Sequence, residues 1–274
     1  MKCSSLRWLV GFSLAILLAG PLLATTGFPT DLKCPMCGET NILYVWASYG
    51  SYIYQWPSKF QMIFWPSTDP HDLFLCKKCH FAAFSHDWQK PPEEKLEATR
   101  KLLSGIAAPA IPEPEFAAGD NDDEKIWKRM VYTKVPMAQR LEIAEKVYEL
   151  WGGDDDFWCH FYRVKGYHLQ KEKRPAEADA ARQKALELAL KMLTLEKNQG
   201  RRKKLLVITA AMRHYLRDDP GALADLNTAQ KLTFKEPRLE DAQNQNVDAY
   251  LSSLIKEYVD AIVQGRSTDE KDEP

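Results

Sequence analysis

Apolar residues follow two different rhythms along this chain. Over 126–264 they recur every three or four positions, as in Leu141-Ile143-Ala144-Val147-Tyr148-Leu150, Ala185-Leu186-Leu188-Ala189-Leu190-Met192-Leu193 and Leu251-Leu254-Ile255-Tyr258-Val259-Ile262. That spacing places them on one stripe of an α-helix. Breaks at Gly152-Gly153, at Lys173-Arg174-Pro175, near Gly200 and at Asp218-Asp219-Pro220-Gly221 predict antiparallel helix pairs with short connections. Asp219 is expected to cap one helix, with Pro220 at its first position. Over 27–90 the runs are shorter and rich in aromatic and β-branched residues. Segments 42–46, 52–54, 60–65 and 73–75 read as strands, with turns at Gly50-Ser51 and Pro57-Ser58. The pattern predicts an α+β fold, mostly α.

Between these regions lies 91–125. Pro91-Pro92-Glu93-Glu94 opens a short helix through Leu103. Prolines, alanines and the run Gly119-Asp120-Asn121-Asp122-Asp123-Glu124 then read as a solvated linker. Asp154-Asp155-Asp156 reads as a turn and helix cap rather than a calcium loop. A tail over 265–274, rich in charge, is expected to be disordered.

The first 26 residues follow another logic. Lys2 and Arg7 precede the apolar run 8–19, Gly20-Pro21 breaks it, and Ala24-Thr25-Thr26 supplies small residues. This is the order of a secretory signal peptide, cleaved after Ala24 or Thr26. A retained anchor is the alternative, although 8–24 is short for a span and is interrupted. The expectation is therefore an exported protein, periplasmic or of the cell envelope, with no stable membrane span after cleavage. Over all 274 residues, 37 Lys+Arg face 38 Asp+Glu. A balance so near zero argues against nucleic acid as a partner. The one basic run, Arg201-Arg202-Lys203-Lys204, reads as a solvated helix start.

Five cysteines follow the leader. Cys34-Pro35-Met36-Cys37-Gly38 and Cys76-Lys77-Lys78-Cys79-His80 form two C-x-x-C pairs. Two tight turns at the tips of separate hairpins can bring four thiolates to the corners of one tetrahedron around zinc. Gly38 can take the positive φ that turns the chain behind the second sulfur. Two alternatives stand beside zinc. Cys76, Cys79 and His80 spell the attachment motif of c-type haem, which would make an electron-transfer protein with Met62, His71 or His86 as loose candidates for the second axial ligand. The other is disulfide or thiol oxidoreductase chemistry at Cys34/Cys37 in an oxidising compartment. Zinc accounts for both pairs at once. Thirteen aromatics between Tyr44 and Trp88 read as the small core around it. Cys159 reads as a buried inert thiol, His160 beside it makes no dyad, and His168 and His214 read as ordinary helix residues.

The helical region also carries an internal echo. Gly166, Ala178 and Ala185 recur 44 residues later as Ala210, Ala222 and Ala229, with Leu206 in the place of Tyr162. Small residues at such spacings match the close-contact positions of tetratricopeptide (TPR) helix pairs. With the knuckles in front, the order of parts resembles a bacterial family of unknown function that joins an N-terminal zinc ribbon to a TPR-like helical region. Cys34-Pro35-Met36-Cys37-Gly38 fits the family's first knuckle, and Cys76-Lys77-Lys78-Cys79-His80-Phe81-Ala82-Ala83 its second, with Lys77 in place of a proline and His80 in place of a glycine. The resemblance implies one structural zinc on Cys34, Cys37, Cys76 and Cys79, and TPR-like helix pairs behind. No catalytic constellation emerges. The expected function is protein binding or scaffolding, with a protein or peptide partner held by the helical part.

Overall fold

The computed structural model describes residues 26–48 and 57–266. Residues 1–25, with the cleavage position after Ala24, the turn expected at Gly50-Ser51, the strand expected at 52–54 and the last eight residues lie outside them, while Thr26, the other expected cleavage position, is the first residue described. Three antiparallel hairpins come first: β1 (Thr26–Lys33) with β2 (Thr40–Ser48), β3 (Pro57–Ser58) with β4 (Ile63–Phe64), and β5 (Leu73–Leu75) with β6 (Ala82–Phe84). Nine helices follow among the described residues: α1 (Ser85–Gln89), α2 (Leu96–Ser104), α3 (Asp122–Lys128), α4 (Met137–Trp151), α5 (Asp155–Lys171), α6 (Pro175–Leu195), α7 (Gln199–Tyr215), α8 (Asp219–Gln230) and α9 (Asp241–Val263). The fold is α+β and mostly α, as the periodicity implies.

Several local expectations are corrected. Segment 60–65 is not one strand: Lys59 accepts a hydrogen bond from the Met62 amide, Met62 takes φ 52, and only Ile63 and Phe64 pair, with Pro57-Ser58 as their partner strand rather than a turn. The spacer read at 106–125 has a structured end. Asn121 and Glu124 close a reciprocal capping box on α3, Asp120 holds Lys128, and Ile111 packs on the core. The cap before α8 is Asp218, whose carboxylate accepts from Gly221 N, while Asp219 and Pro220 are already helical. Asp154 caps α5 by accepting from Phe157 N.

Two cores organise the packing. The first joins the cysteine-bearing hairpins to α4 and α5, with Leu43, Leu73, Phe74, Leu75, Phe81 and Trp88 against Leu141, Ala144, Val147, Tyr148 and Phe161. Such large apolar side chains supply most of the driving force, each about 2–3 kcal/mol when fully buried. The second lies among α6–α9, and the β3–β4 turn reaches into it, stacking Phe60 on Tyr258 at 4.7 Å. Buried arginines tie strands to helices. Arg140 of α4 donates to the carbonyls of Pro70, Leu73 and Val135 at 2.6, 2.7 and 3.1 Å. Arg163 of α5 donates to those of Gln61 and Met62 at 2.6 and 3.0 Å.

The 44-residue echo is a geometric repeat. Helices α5 and α6 form one hairpin and α7 and α8 the next. Their turns share a residue with left-handed backbone, Lys173 (φ 60) and Arg217 (φ 68). They also share a hydrogen bond, Arg174 N to Leu169 O in the first and Asp218 N to Arg213 O in the second. All six small residues of the echo are buried. At Gly166 an added Cβ would meet Arg182 Cγ at 2.9 Å and Ala178 O at 3.3 Å, so the helices approach as closely as the small side chains suggest.

Candidate metal centre

The two knuckles have the same backbone design. In the first, between β1 and β2, Cys34 N donates to Glu39 O and Gly38 N to Cys34 O; in the second, between β5 and β6, Cys76 N donates to Phe81 O and His80 N to Cys76 O. Each turn needs a left-handed residue at its fifth position, Gly38 at φ 75 and His80 at φ 59. His80 therefore occupies a glycine's place, and the C-x-x-C-H spelling follows from a knuckle whose fifth residue happens to be histidine.

The turns face each other. All four sulfurs lie within 4.8 Å of one another, with Cys34 Sγ 3.6 Å from Cys79 Sγ and Cys37 Sγ 3.7 Å from Cys76 Sγ. A zinc–sulfur bond of about 2.3 Å gives a tetrahedron with edges of about 3.8 Å. The cluster is therefore the size of a four-thiolate metal site, and it could hold one metal ion. Among the described residues no histidine or carboxylate joins this group. Among the described residues no disulfide closes either C-x-x-C pair, and the sulfur contacts at 3.6 and 3.7 Å cross between the knuckles.

Supporting groups surround the sulfurs. Asn41, buried at the start of β2, directs Nδ2 toward Cys76 Sγ at 3.6 Å and accepts from Lys77 N at 2.9 Å, so one side chain links both knuckles. Lys78 N also points at Cys76 Sγ. Arg100 of α2 donates to Met36 O at 2.8 Å and fastens the first knuckle from outside. Sequence reasoning passed over Asn41, a lone asparagine at the start of a strand. Such outer partners orient ligands and tune their basicity. The thiols do not behave alike. Cys34 is pushed well up by its hydrogen bonds with Cys76 and Cys79 and by burial, whereas Cys76 is pulled down by the thiols of Cys34 and Cys79 and by backbone N–H groups. Four thiols this close cannot all ionise unless a cation neutralises them. Lys77 and Lys78, both beside Glu39, add positive charge at the rim.

Other residues singled out in the sequence are accounted for by packing. Cys159 is buried, points at Ala185 O, and burial pushes its thiol up. His160 does approach a hydroxyl, with Nε2 3.3 Å from Ser67 Oγ, but its Nδ1 faces the Arg163 guanidinium at 3.5 Å. Arginine only donates, so Nδ1 must accept and Nε2 carries the proton. That tautomer cannot take a proton from Ser67. His168 Nε2 donates to Ser67 O at 3.0 Å, and His214 Nδ1 pairs with Asp219. His71 pairs with Asp69, Met62 packs against the second core, and His86 lies on α1. The run 201–204 departs from a plain solvated face. Arg201 pairs with Asp156 and Glu196, but Lys203 is buried, with Nζ on Asp248 at 2.7 Å and on Ser252 at 2.9 Å. Among the described residues, no helix is long and apolar enough to cross a membrane. Set against families of related proteins, curated proteins and solved structures, the chain gives no match.

Proposed function

We propose that this chain is an exported zinc-ribbon protein whose TPR-like helices bind a protein or peptide partner in the periplasm or cell envelope. The observation that carries the metal half is the convergence of Cys34, Cys37, Cys76 and Cys79 at tetrahedral spacing. Zinc suits it best: four thiolates are its usual structural set and leave no open position for a catalytic water. The ion would fasten the β1–β2 and β5–β6 hairpins, which are too short to hold together through a core of their own. The order of parts supports the partner half, because knuckled hairpins followed by stacked helix pairs is the arrangement of the bacterial family named above, and helix pairs of this kind present extended surfaces. Haem at Cys76 and Cys79 draws less support, since Cys76 Sγ is enclosed by the other sulfurs and Asn41.

The test uses protein purified from an exporting host. About one zinc per chain by elemental analysis, with no Soret band near roughly 410 nm, is the expected result. A coloured, haem-bearing protein or a metal-free folded one would overturn the zinc reading. Retention of envelope proteins by the immobilised metal-loaded chain tests the partner reading, and a chain that retains none contradicts it.

A further inference from the structure

The four clustered sulfurs are not equally reachable. Cys76 is 0% exposed and Cys34 2%, and both Asn41 Nδ2 and the Lys78 amide are directed at Cys76 Sγ. Cys79 is half-buried, whereas Cys37 lies exposed on the first knuckle, between buried Met36 and the left-handed Gly38. A small oxidant arriving from solvent therefore meets Cys37 first. Behind it stands a second sulfur, Cys76 Sγ, 3.7 Å away on the facing knuckle. A disulfide brings two sulfurs to about 2.05 Å, so this pair must approach by about 1.7 Å. The knuckles are kept opposed by more than their sulfurs. Leu43 of β2 and Leu75 of β5 share one core with Phe74 and Phe81, and Asn41 reaches from one turn to the other.

An exposed thiolate with a second thiol at its back is the arrangement in which oxidation ends as a disulfide rather than as a higher acid. We propose that Cys37 is the entry point for a peroxide, and that oxidation exchanges the metal clasp for a Cys37–Cys76 disulfide across the same two hairpins. The proposal rests on the zinc reading and goes beyond it, because it makes the site sensitive to oxidant. Cys37, held as a thiolate while the ion is bound, attacks one peroxide oxygen. The S–O bond forms, the O–O bond breaks, and the departing hydroxide takes a proton from solvent. Cys76 then attacks the sulfur of the resulting sulfenic acid. The S–S bond forms, the S–O bond breaks, and a second hydroxide leaves as water. Two thiolates, one hydrogen peroxide and two protons thus give one disulfide and two waters. Cys34 and Cys79 are left, too few to hold a four-thiolate ion, so the metal departs while the hairpins stay joined.

The test treats the reduced, zinc-loaded full chain with hydrogen peroxide in the presence of a chromogenic zinc indicator. The expected result is loss of about one zinc per chain, in step with a Cys37–Cys76 disulfide found by peptide mapping. The helical circular dichroism and the buried emission of Trp88 should persist, and a thiol reductant with added zinc should restore the starting state. Brief alkylation of the untreated protein should label Cys37 ahead of Cys34, Cys76 and Cys79. Cys159→Ser, which removes the remaining thiol of the described chain, should release zinc as the wild type does. A disulfide within either C-x-x-C pair, a Cys37 that stops at sulfinic acid, or unfolding in step with zinc release would overturn the proposal. Zinc content before peroxide judges the zinc reading separately, and in a chain found without zinc the mapped disulfide still decides the pairing.

Discussion

At the scale of a residue, His80 carries the most information. Its spelling after Cys76-Lys77-Lys78-Cys79 raised haem, and its backbone explains it otherwise, since it takes the left-handed conformation that Gly38 takes in the matching turn. A residue with a Cβ holds that conformation at a cost of about 1 kcal/mol. Changing His80→Gly should therefore stabilise the metal-loaded protein by up to about 1 kcal/mol, part of it offset by the freer unfolded chain. Thermal melting with zinc content measured alongside checks this. Loss of a bound chromophore in the variant would instead show His80 to be an axial ligand. Cys37→Ser tests the neighbouring claim. Removing one of four ligands should release the metal and loosen the first two-hairpin core, read as zinc loss together with a red shift of tryptophan emission from the buried Trp88. The cysteine pairs were legible because two C-x-x-C turns fix residue type and spacing together, and the structure brings all four sulfurs within 4.8 Å of one another. Asn41 was not, since a lone asparagine at a strand start gives no hint that it will bridge two turns.

At the scale of elements, helices were legible and short strands were not. The 3.6-residue period survives over fifteen or more residues in α4 to α7, where one apolar stripe decides the outcome. β3 and β4 have two residues each, too few for any alternation, and the turn between them is set by tertiary bonds from Arg163 that no local pattern announces. The repeat was legible through its small residues because only they allow the helices to approach. Gly166→Val tests that reading. Helix propensity favours valine over glycine, yet branched carbon would press on the stem of buried Arg182 and on the carbonyl of Ala178. The packing effect should win, with destabilisation of about 2 kcal/mol by denaturant titration. A neutral or stabilising result would mean that α5 and α6 are not locked at this crossing.

Across the whole molecule, the segment from Trp65 to Leu73 adds buried polar groups to the apolar contact between the hairpins and the helices. Arg140 alone satisfies two carbonyls there, those of Pro70 and Leu73, besides that of Val135, and burial has lowered its pKa only to about 10, so it stays charged. Two histidines of α5 meet the same segment at Ser67. Burial lowers His168 to about 4 and, with the charge of Arg163, His160 to about 3. Both are therefore neutral in the folded protein, while in the unfolded chain each titrates near about 6.5. Below that value the unfolded state binds more protons, and stability falls as pH drops from about 6.5 toward 4. Asp72 works in the opposite sense. Burial raises it to about 6, so its folded form holds a proton that the unfolded chain releases near about 4, and its contribution fades as pH rises between those values. Two histidine shifts outweigh one carboxyl shift of similar size, and the net expectation is acid lability over that window, with each histidine contributing up to about 3 kcal/mol. Denaturant melts of His168→Gln should show it: glutamine can keep the hydrogen bond to Ser67 O yet cannot gain a proton, so the slope of stability against pH between about 4 and 6 should fall close to zero, the remaining His160 being offset by Asp72. An unchanged slope would place the acid sensitivity at the cysteine cluster, whose thiols take up protons when the metal leaves, and zinc content followed over the same pH range tells the two apart, since the histidine term acts while the metal is still bound.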